Sequence, residues 1–197
     1  MARRIAADRP GAVLTDQYNN PANPEAHYRT TGPEIWEQTC GRITHFVAGI
    51  GTGGTISGTA RSLKEKNPAI QVIGADPVGS ILKHFKETGE VAEARPYEVE
   101  GVGEDFIPTA LDFAVVDRVV QCGDQEALTM TRRLAREEAI FAGGSSGLAV
   151  WVALQVARGL SERDLLVVLL PDSGECYLTK VHNDAWMAEN GFHTEGE

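Results

Sequence analysis

The stretch "VAGIGTGGTISGTARSLKEKN", residues 47–67, packs five glycines and the hydroxyls of Thr52, Thr55 and Ser57 between an apolar run and a helical pattern. Glycines let backbone N–H groups come close to an anion, hydroxyls add donors, and a helix N-terminus adds its positive end. That set suits a terminal phosphate monoester, which has three oxygens to satisfy. Gly49, Gly51 and Gly54 also fit the G-x-G-x-x-G spacing of a dinucleotide site, with Asp76 standing where an acid would hold the ribose. A tight packing turn with no ligand is the third reading. The pattern alone leaves all three open.

Two further turns carry hydroxyls. In "GGSSG", Gly143, Ser145 and Gly147 fit the G-x-S-x-G elbow of α/β-hydrolases, and Asp172 and His182 follow in the expected order. His182 lies only ten positions after Asp172, however, and no oxyanion motif precedes Ser145. Serines and glycines capping a helix explain the segment more simply. In "LLPDSGECY" an apolar strand ends at Asp172, so Ser173 can present its hydroxyl at the strand end or act as an N-cap.

Positioning these turns requires strands that end where helices begin. "AVLTDQY", "ITHFVAGIG", "IQVIGADP", "AVVDRVVQC" and "DLLVVLLPD" read as strands. "GPEIWEQTCG" reads as a helix with Pro33 at its start and Gly41 as its stop. "TISGTARSLKEKN" and "LAVWVALQVARG" are helical, as is "GDQEALTMTRRLAREEA", where Asp124 is placed to cap the N-terminus. Residues 78–108 read as irregular, "CYLTKVHNDAWMAEN" as a last helix, and the tail "HTEGE" as frayed. Alternation of strands with crossover helices predicts an α/β fold with a mostly parallel twisted sheet flanked by helices. Both "HFVAGI" and "LLVVLL" are apolar on two faces, as strands of a doubly covered sheet.

The 197 residues suit one domain of ordinary size. No apolar run approaches the ~20 residues needed to span a bilayer, and a net charge of −10 with dispersed basic residues argues against nucleic acid. The five histidines show no metal-ligand spacing. Three cysteines without paired spacing, Cys40, Cys122 and Cys176, fit free thiols in a reducing cytoplasm.

Taken together, "LTDQYNNPANPEAHYRTTGPEIWEQ", "GTGGT", "EGVGEDFIPTALDFAVVDRVV" and "PDSGECYLTKVHNDAWMAENGF" resemble the cystathionine β-synthase and cysteine synthase family of pyridoxal 5′-phosphate enzymes. The resemblance implies the larger domain of a tryptophan-synthase-β-like fold. By the same resemblance Gly51, Thr52, Gly53, Gly54 and Thr55 hold the cofactor phosphate and Ser173 faces the pyridine nitrogen. Glu100, Gly101, Val102 and Gly103 border the pocket for small amino-acid substrates and move on closure. The implied reaction is β-replacement through an aminoacrylate, either serine with homocysteine or O-acetylserine with sulfide. The first fits "EGVGEDFIPTALDFAVVDRVV" and the C-terminal segment, the second "NNPANPEAHYRTTGPEIWEQ". The family's Schiff-base lysine and the loop for the substrate carboxylate match nothing here. The resemblance therefore implies the C-terminal part of the catalytic core, residues 1–197, with the lysine segment and the smaller mobile domain upstream. It also implies no turnover by the chain alone and a homodimer formed through this domain.

Overall fold

Short runs rich in Val, Ile and Ala form the strands of the computed structural model, which describes residues 1–194. They are β1 (His45–Gly49), β2 (Gln71–Pro77), β3 (Arg118–Cys122) and β4 (Leu166–Val168). All pair in parallel, in the order β3-β2-β1-β4. The helices are α1 (Ala2–Asp8), α2 (Ala22–Arg29), α3 (Thr31–Gln38), α4 (Gly54–Lys66), α5 (Leu82–Thr88), α6 (Asp124–Glu137), α7 (Gly144–Ala157) and α8 (Asp184–Glu189). The fold is α/β, a parallel sheet flanked by helices, as the alternation of the sequence predicts.

Successive side chains of a strand point to opposite faces, and two core clusters result. Phe46, Ala48 and Val72 pack with Ile56, Ala60 and Leu63 of α4 and with Leu82 of α5. Val47, Ile73 and Ala75 pack with Leu128 of α6, with Leu148, Val152 and Val156 of α7, and with Met187 of α8. Full burial of each large side chain contributes roughly 1.5–3 kcal/mol.

Several local expectations are corrected. "AVLTDQY" forms no strand: the Asn20 side chain donates to Thr15 O and the Asn19 side chain to Asp16, while Ala110 N–H donates to Tyr18 O. The polar run after it holds α2, and residues 78–108 hold α5. Asp124 does not cap α6, whose N-cap is Gly123; its carboxylate instead accepts from Val99 N–H at 3.1 Å. The last helical pattern divides into a 3-10 turn at Gly174–Tyr177, a looped stretch and α8, because Asn183 accepts from Ala185 N–H and Trp186 N–H and starts the helix there. "DLLVVLLPD" contributes only the three residues of β4, half-buried rather than buried, because among the described residues it pairs with β1 alone. Within the tail "HTEGE", residues 195–197 lie outside the described residues.

Candidate functional site

All four strands run the same way, so the turns after β1 and β4 leave one carboxyl edge side by side, with Val47 opposite Val168. A cavity of about 540 Å³ opens there. Its floor is Gly49, Gly51, Thr52, Gly53, Thr55 and Ile56, and its opposite wall is residues 97–104, joined by Gln17, Tyr18, Leu169 and Pro171. In open α/β sheets such an edge is where ligands bind.

The glycines have distinct duties. Gly53 stands at φ +81° as the N-cap of α4, and a Cβ on it would meet the backbone and side chain of Leu111. A Cβ on Gly51 would lie 2.7 Å from Gly101 O, and one on Gly49 would lie 2.7 Å from Val102 Cγ1. The bare glycine backbone of the floor therefore packs directly on the wall, Gly51 against the Gly101 carbonyl and Gly49 against the Val102 side chain. Gly54 does not line the cavity; it faces α2, where a Cβ would run into the Asn23 amide. Gly58, one turn on, lies under Pro24 O and His27 Cβ. The close approach of α2 to α4 rests on these two glycines.

No side chain caps α4, and the N–H groups of its first turn have no carbonyl partner within the helix. Thr52 and Thr55 add hydroxyls beside them. Thr52 Oγ1 accepts from Asn23 Nδ2 at 3.0 Å, and Thr55 Oγ1 lies 3.2 Å from His27 Nε2. Burial holds the His27 imidazole below its ordinary pKa, which favours the neutral ring. Chemically, the floor is a receptor for an anion with several oxygens.

The wall is held at several points. Gly103 N–H donates to Ile50 O at 2.7 Å, Glu104 N–H to Ser80 Oγ at 3.1 Å, and Ile81 N–H to Glu104 O at 3.1 Å. Glu100 pairs with Lys180. The wall faces the floor with acid and phenol groups. Burial raises the Glu104 pKa, an effect opposed by its hydrogen bond to Tyr18. Tyr97 is pushed up to about 12 by burial and by the carboxylates of Glu104, Asp76 and Asp105. Of the residues expected from the sequence, the cavity brings together Gly51, Thr52, Gly53, Thr55, Glu100, Gly101, Val102 and Gly103. Ser173 lies at the same edge, exposed, with its backbone bridged to Ala142; Pro171 of the same turn lines the cavity but Ser173 does not. It is the N-cap of the 3-10 turn, without a side-chain capping bond.

Two competing readings lose their residues. Asp76 is fully buried, accepting from Lys83 N–H and the Gln121 amide, so it cannot reach a ribose in the cavity. Ser145 is buried inside the first turn of α7, and His182 is engaged with Ala142 O, so no hydrolase elbow forms. That turn is also not capped by serine, its N-cap being Gly143. Gln17, Tyr18, Asn23, His27, Tyr97 and Glu104 were missed. Asn23 and His27 are four residues apart in a helix with no buried residue, and only that spacing within "NPEAH" hinted at a shared face.

The model of the family described as "Pyridoxal-phosphate dependent enzyme" matches residues 1–172. The chain belongs to this family. Pyridoxal phosphate is its cofactor, and the sequence-based expectation of that cofactor stands. Among curated relatives, the rabbit (Oryctolagus cuniculus) cystathionine beta-synthase is 48% identical over 197 residues, covering 100% of this chain and 36% of that protein. The honeybee (Apis mellifera) cystathionine beta-synthase is 46% identical over 192 residues, covering 98% and 38%. Cysteine synthase A of Escherichia coli is 42% identical over 182 residues, covering 90% and 56%. The chain thus spans well under half the length of the two cystathionine beta-synthases.

Proposed function

We propose that this chain supplies the phosphate-holding side of a β-replacement site that joins L-serine to L-homocysteine, giving L-cystathionine and water. The observation that carries the reading is the uncapped, hydroxyl-lined floor at Gly51–Thr55, sharing one cavity with residues 97–104. The fit to a phosphate monoester is physical: a Cβ at Gly51 would run into Gly101 O, Gly53 takes a left-handed φ, and the N–H groups of α4 just beyond Gly54 have no carbonyl partner within the helix. Gly51, Thr52, Gly53, Gly54 and Thr55 hold the phosphate. Ser173 offers a neutral hydroxyl to the ring nitrogen, and Glu100, Gly101, Val102 and Gly103 border the amino-acid substrate. When bound, pyridoxal phosphate supplies an electron-withdrawing ring that stabilises charge at the substrate α-carbon. The protein's own share is to orient, to exclude water with the 97–104 wall, and to set the field: donors on the floor, and Glu98, Glu100 and Glu104 opposite, where a substrate ammonium is stabilised.

All five lysines are placed elsewhere. Lys64 bonds Asp117 and Ile70 O, Lys83 bonds Glu87, and Lys86 bonds Phe113 O; Lys66 lies over Trp36, and Lys180 pairs with Glu100 outside the cavity lining. The chain by itself is therefore proposed to have no turnover, with the reactive amine and the smaller domain supplied by further polypeptide of the same enzyme and with a homodimer formed through this domain. The free thiols of Cys40, Cys122 and Cys176 are in keeping with a cytoplasmic location. The cystathionine-forming reading is supported by matches covering 98% and 100% of the chain. O-acetylserine with sulfide is the second reading, supported by the 42% identity to a cysteine synthase.

Calorimetric titration with pyridoxal phosphate and with pyridoxal tests the cradle. Tighter binding of the phosphorylated form is expected, and equal affinities would sink the assignment. Assaying the enzyme that contains this chain with serine plus homocysteine, against O-acetylserine plus sulfide, separates the two reactions.

A further inference from the structure

We infer that helix α2 fixes the direction of the hydrogens in the anion cradle: Asn23 and His27 donate to Thr52 and Thr55, so that both hydroxyls turn their own hydrogens into the cavity. The inference deepens the phosphate reading of the same site and rests on it.

Chemistry dictates the orientation of the Asn23 amide. Asn23 Nδ2 lies 2.8 Å from Gln17 O and 3.0 Å from Thr52 Oγ1. A backbone carbonyl can only accept, so the amide nitrogen, with its two hydrogens, must face Gln17. The same nitrogen then can only donate to Thr52. Gly54 N–H approaches the same Thr52 oxygen at 3.4 Å. A hydroxyl oxygen has two acceptor sites and one hydrogen. With N–H groups directed at its oxygen from two sides, Thr52 is left as a donor, and the cavity it lines is where a donor is useful.

His27 stands in the same relation one turn along α2. Its Nδ1 lies 2.9 Å from Thr31 Oγ1 and its Nε2 lies 3.2 Å from Thr55 Oγ1. A neutral imidazole has one donor nitrogen and one acceptor nitrogen, and the partner of one determines the other. With Thr31 donating to Nδ1, Nε2–H donates to Thr55 and releases the Thr55 hydrogen to the cavity. The opposite tautomer would direct that hydrogen back to the ring and turn a lone pair toward the anion. The lowered pKa of this half-buried ring is consistent with a neutral state. Backing these contacts, Gly54 and Gly58 admit the Asn23 amide and the His27 Cβ so closely that no larger residue fits without displacement. Asn23 and His27 touch no ligand in this arrangement; they are positioning residues, acting through the threonines.

Nitrogen-15 NMR of the histidine-labelled chain reads the tautomer directly, with the His27 signals assigned by their loss in His27→Gln. A protonated Nε2 with a bare Nδ1 near pH 7.5 is expected; a protonated Nδ1, or an imidazolium, would overturn the inference. Binding gives a second readout. The glutamine amide reproduces a donor at the Nε2 position and the asparagine amide does not, so His27→Gln should keep pyridoxal phosphate affinity within about threefold while His27→Asn and Asn23→Leu each lose about tenfold or more, as loss of a charge-assisted hydrogen bond implies. Pyridoxal, lacking the phosphate, should bind all variants alike. Equal loss in His27→Gln and His27→Asn, with unchanged thermal midpoints, contradicts the inference. If the unmodified chain fails to prefer pyridoxal phosphate over pyridoxal, the phosphate reading fails instead, and the tautomer still decides the role of α2.

Discussion

Gly53 concentrates the physics of the site in one residue. Its φ of +81° is open to glycine at little cost, and Leu111 occupies the space a side chain would need. Gly53→Ala is expected to cost about 1–3 kcal/mol from the left-handed backbone and the overlap together, read by urea unfolding, and to weaken pyridoxal phosphate binding in parallel. Asp76 gives a pH prediction. Burial pushes its carboxyl up to about 6, against hydrogen bonds from Ser80, Lys83 N–H and Gln121 that pull it down. An unfolded aspartate releases its proton near pH ~3.9. Between those values the folded state binds more protons, so this group's contribution to stability falls as pH rises from about 4 to 6, by at most about 3 kcal/mol. The stability difference between the unmodified chain and Asp76→Asn should follow that direction across the window; a difference independent of pH would contradict it.

At the scale of elements, the approach of α2 to α4 holds the cradle in register. Gly58→Val places a branched side chain against Pro24 O and His27 Cβ, and overpacking of this kind costs about 1–3 kcal/mol. Binding of pyridoxal phosphate should fall with stability, since α2 also carries Asn23. Equilibrium unfolding and titration of the same variant check both. The strand-turn-helix at the cradle was legible because a buried apolar run, five glycines and a 3.6-residue pattern follow one another there. Helix α2 was not legible: it buries no residue, and what holds it is side-chain hydrogen bonding and glycine contact with α4, which leaves no apolar periodicity in the sequence. The Gly-x-Gly-x-x-Gly spacing was read correctly as a turn and ambiguously as a ligand site. Only the burial of Asp76 removed the ribose reading, and burial of a carboxylate at a strand end is a tertiary outcome that spacing does not reveal.

For the whole molecule, β4 is the informative element. Residues 165–170, Leu-Leu-Val-Val-Leu-Leu, have the composition of a strand covered on both sides, yet all are half-buried at an edge that no other described strand pairs. An apolar edge with unpaired backbone groups invites association. The isolated chain is expected to self-associate at micromolar concentration, and an Asp or Lys at an outward position of 165–170 should reduce it; light scattering showing a monodisperse monomer would refute this. The same edge leads through Leu169 and Pro171 into the cavity wall and on to Ser173. The parallel topology, legible from alternating strands and helices, thus brings two separately noted turns to one edge of the sheet, while the exact relation of Ser173 to the cavity was beyond any sequence pattern.

The central claim is that an esterified phosphate sits among the backbone N–H groups of residues 51–55. A crystal structure of the chain grown with pyridoxal phosphate tests it most directly. The account predicts phosphate oxygens within hydrogen-bond distance of those N–H groups and of the Thr52 and Thr55 hydroxyls. Phosphate density at any other place, with the cradle holding only solvent, would contradict it.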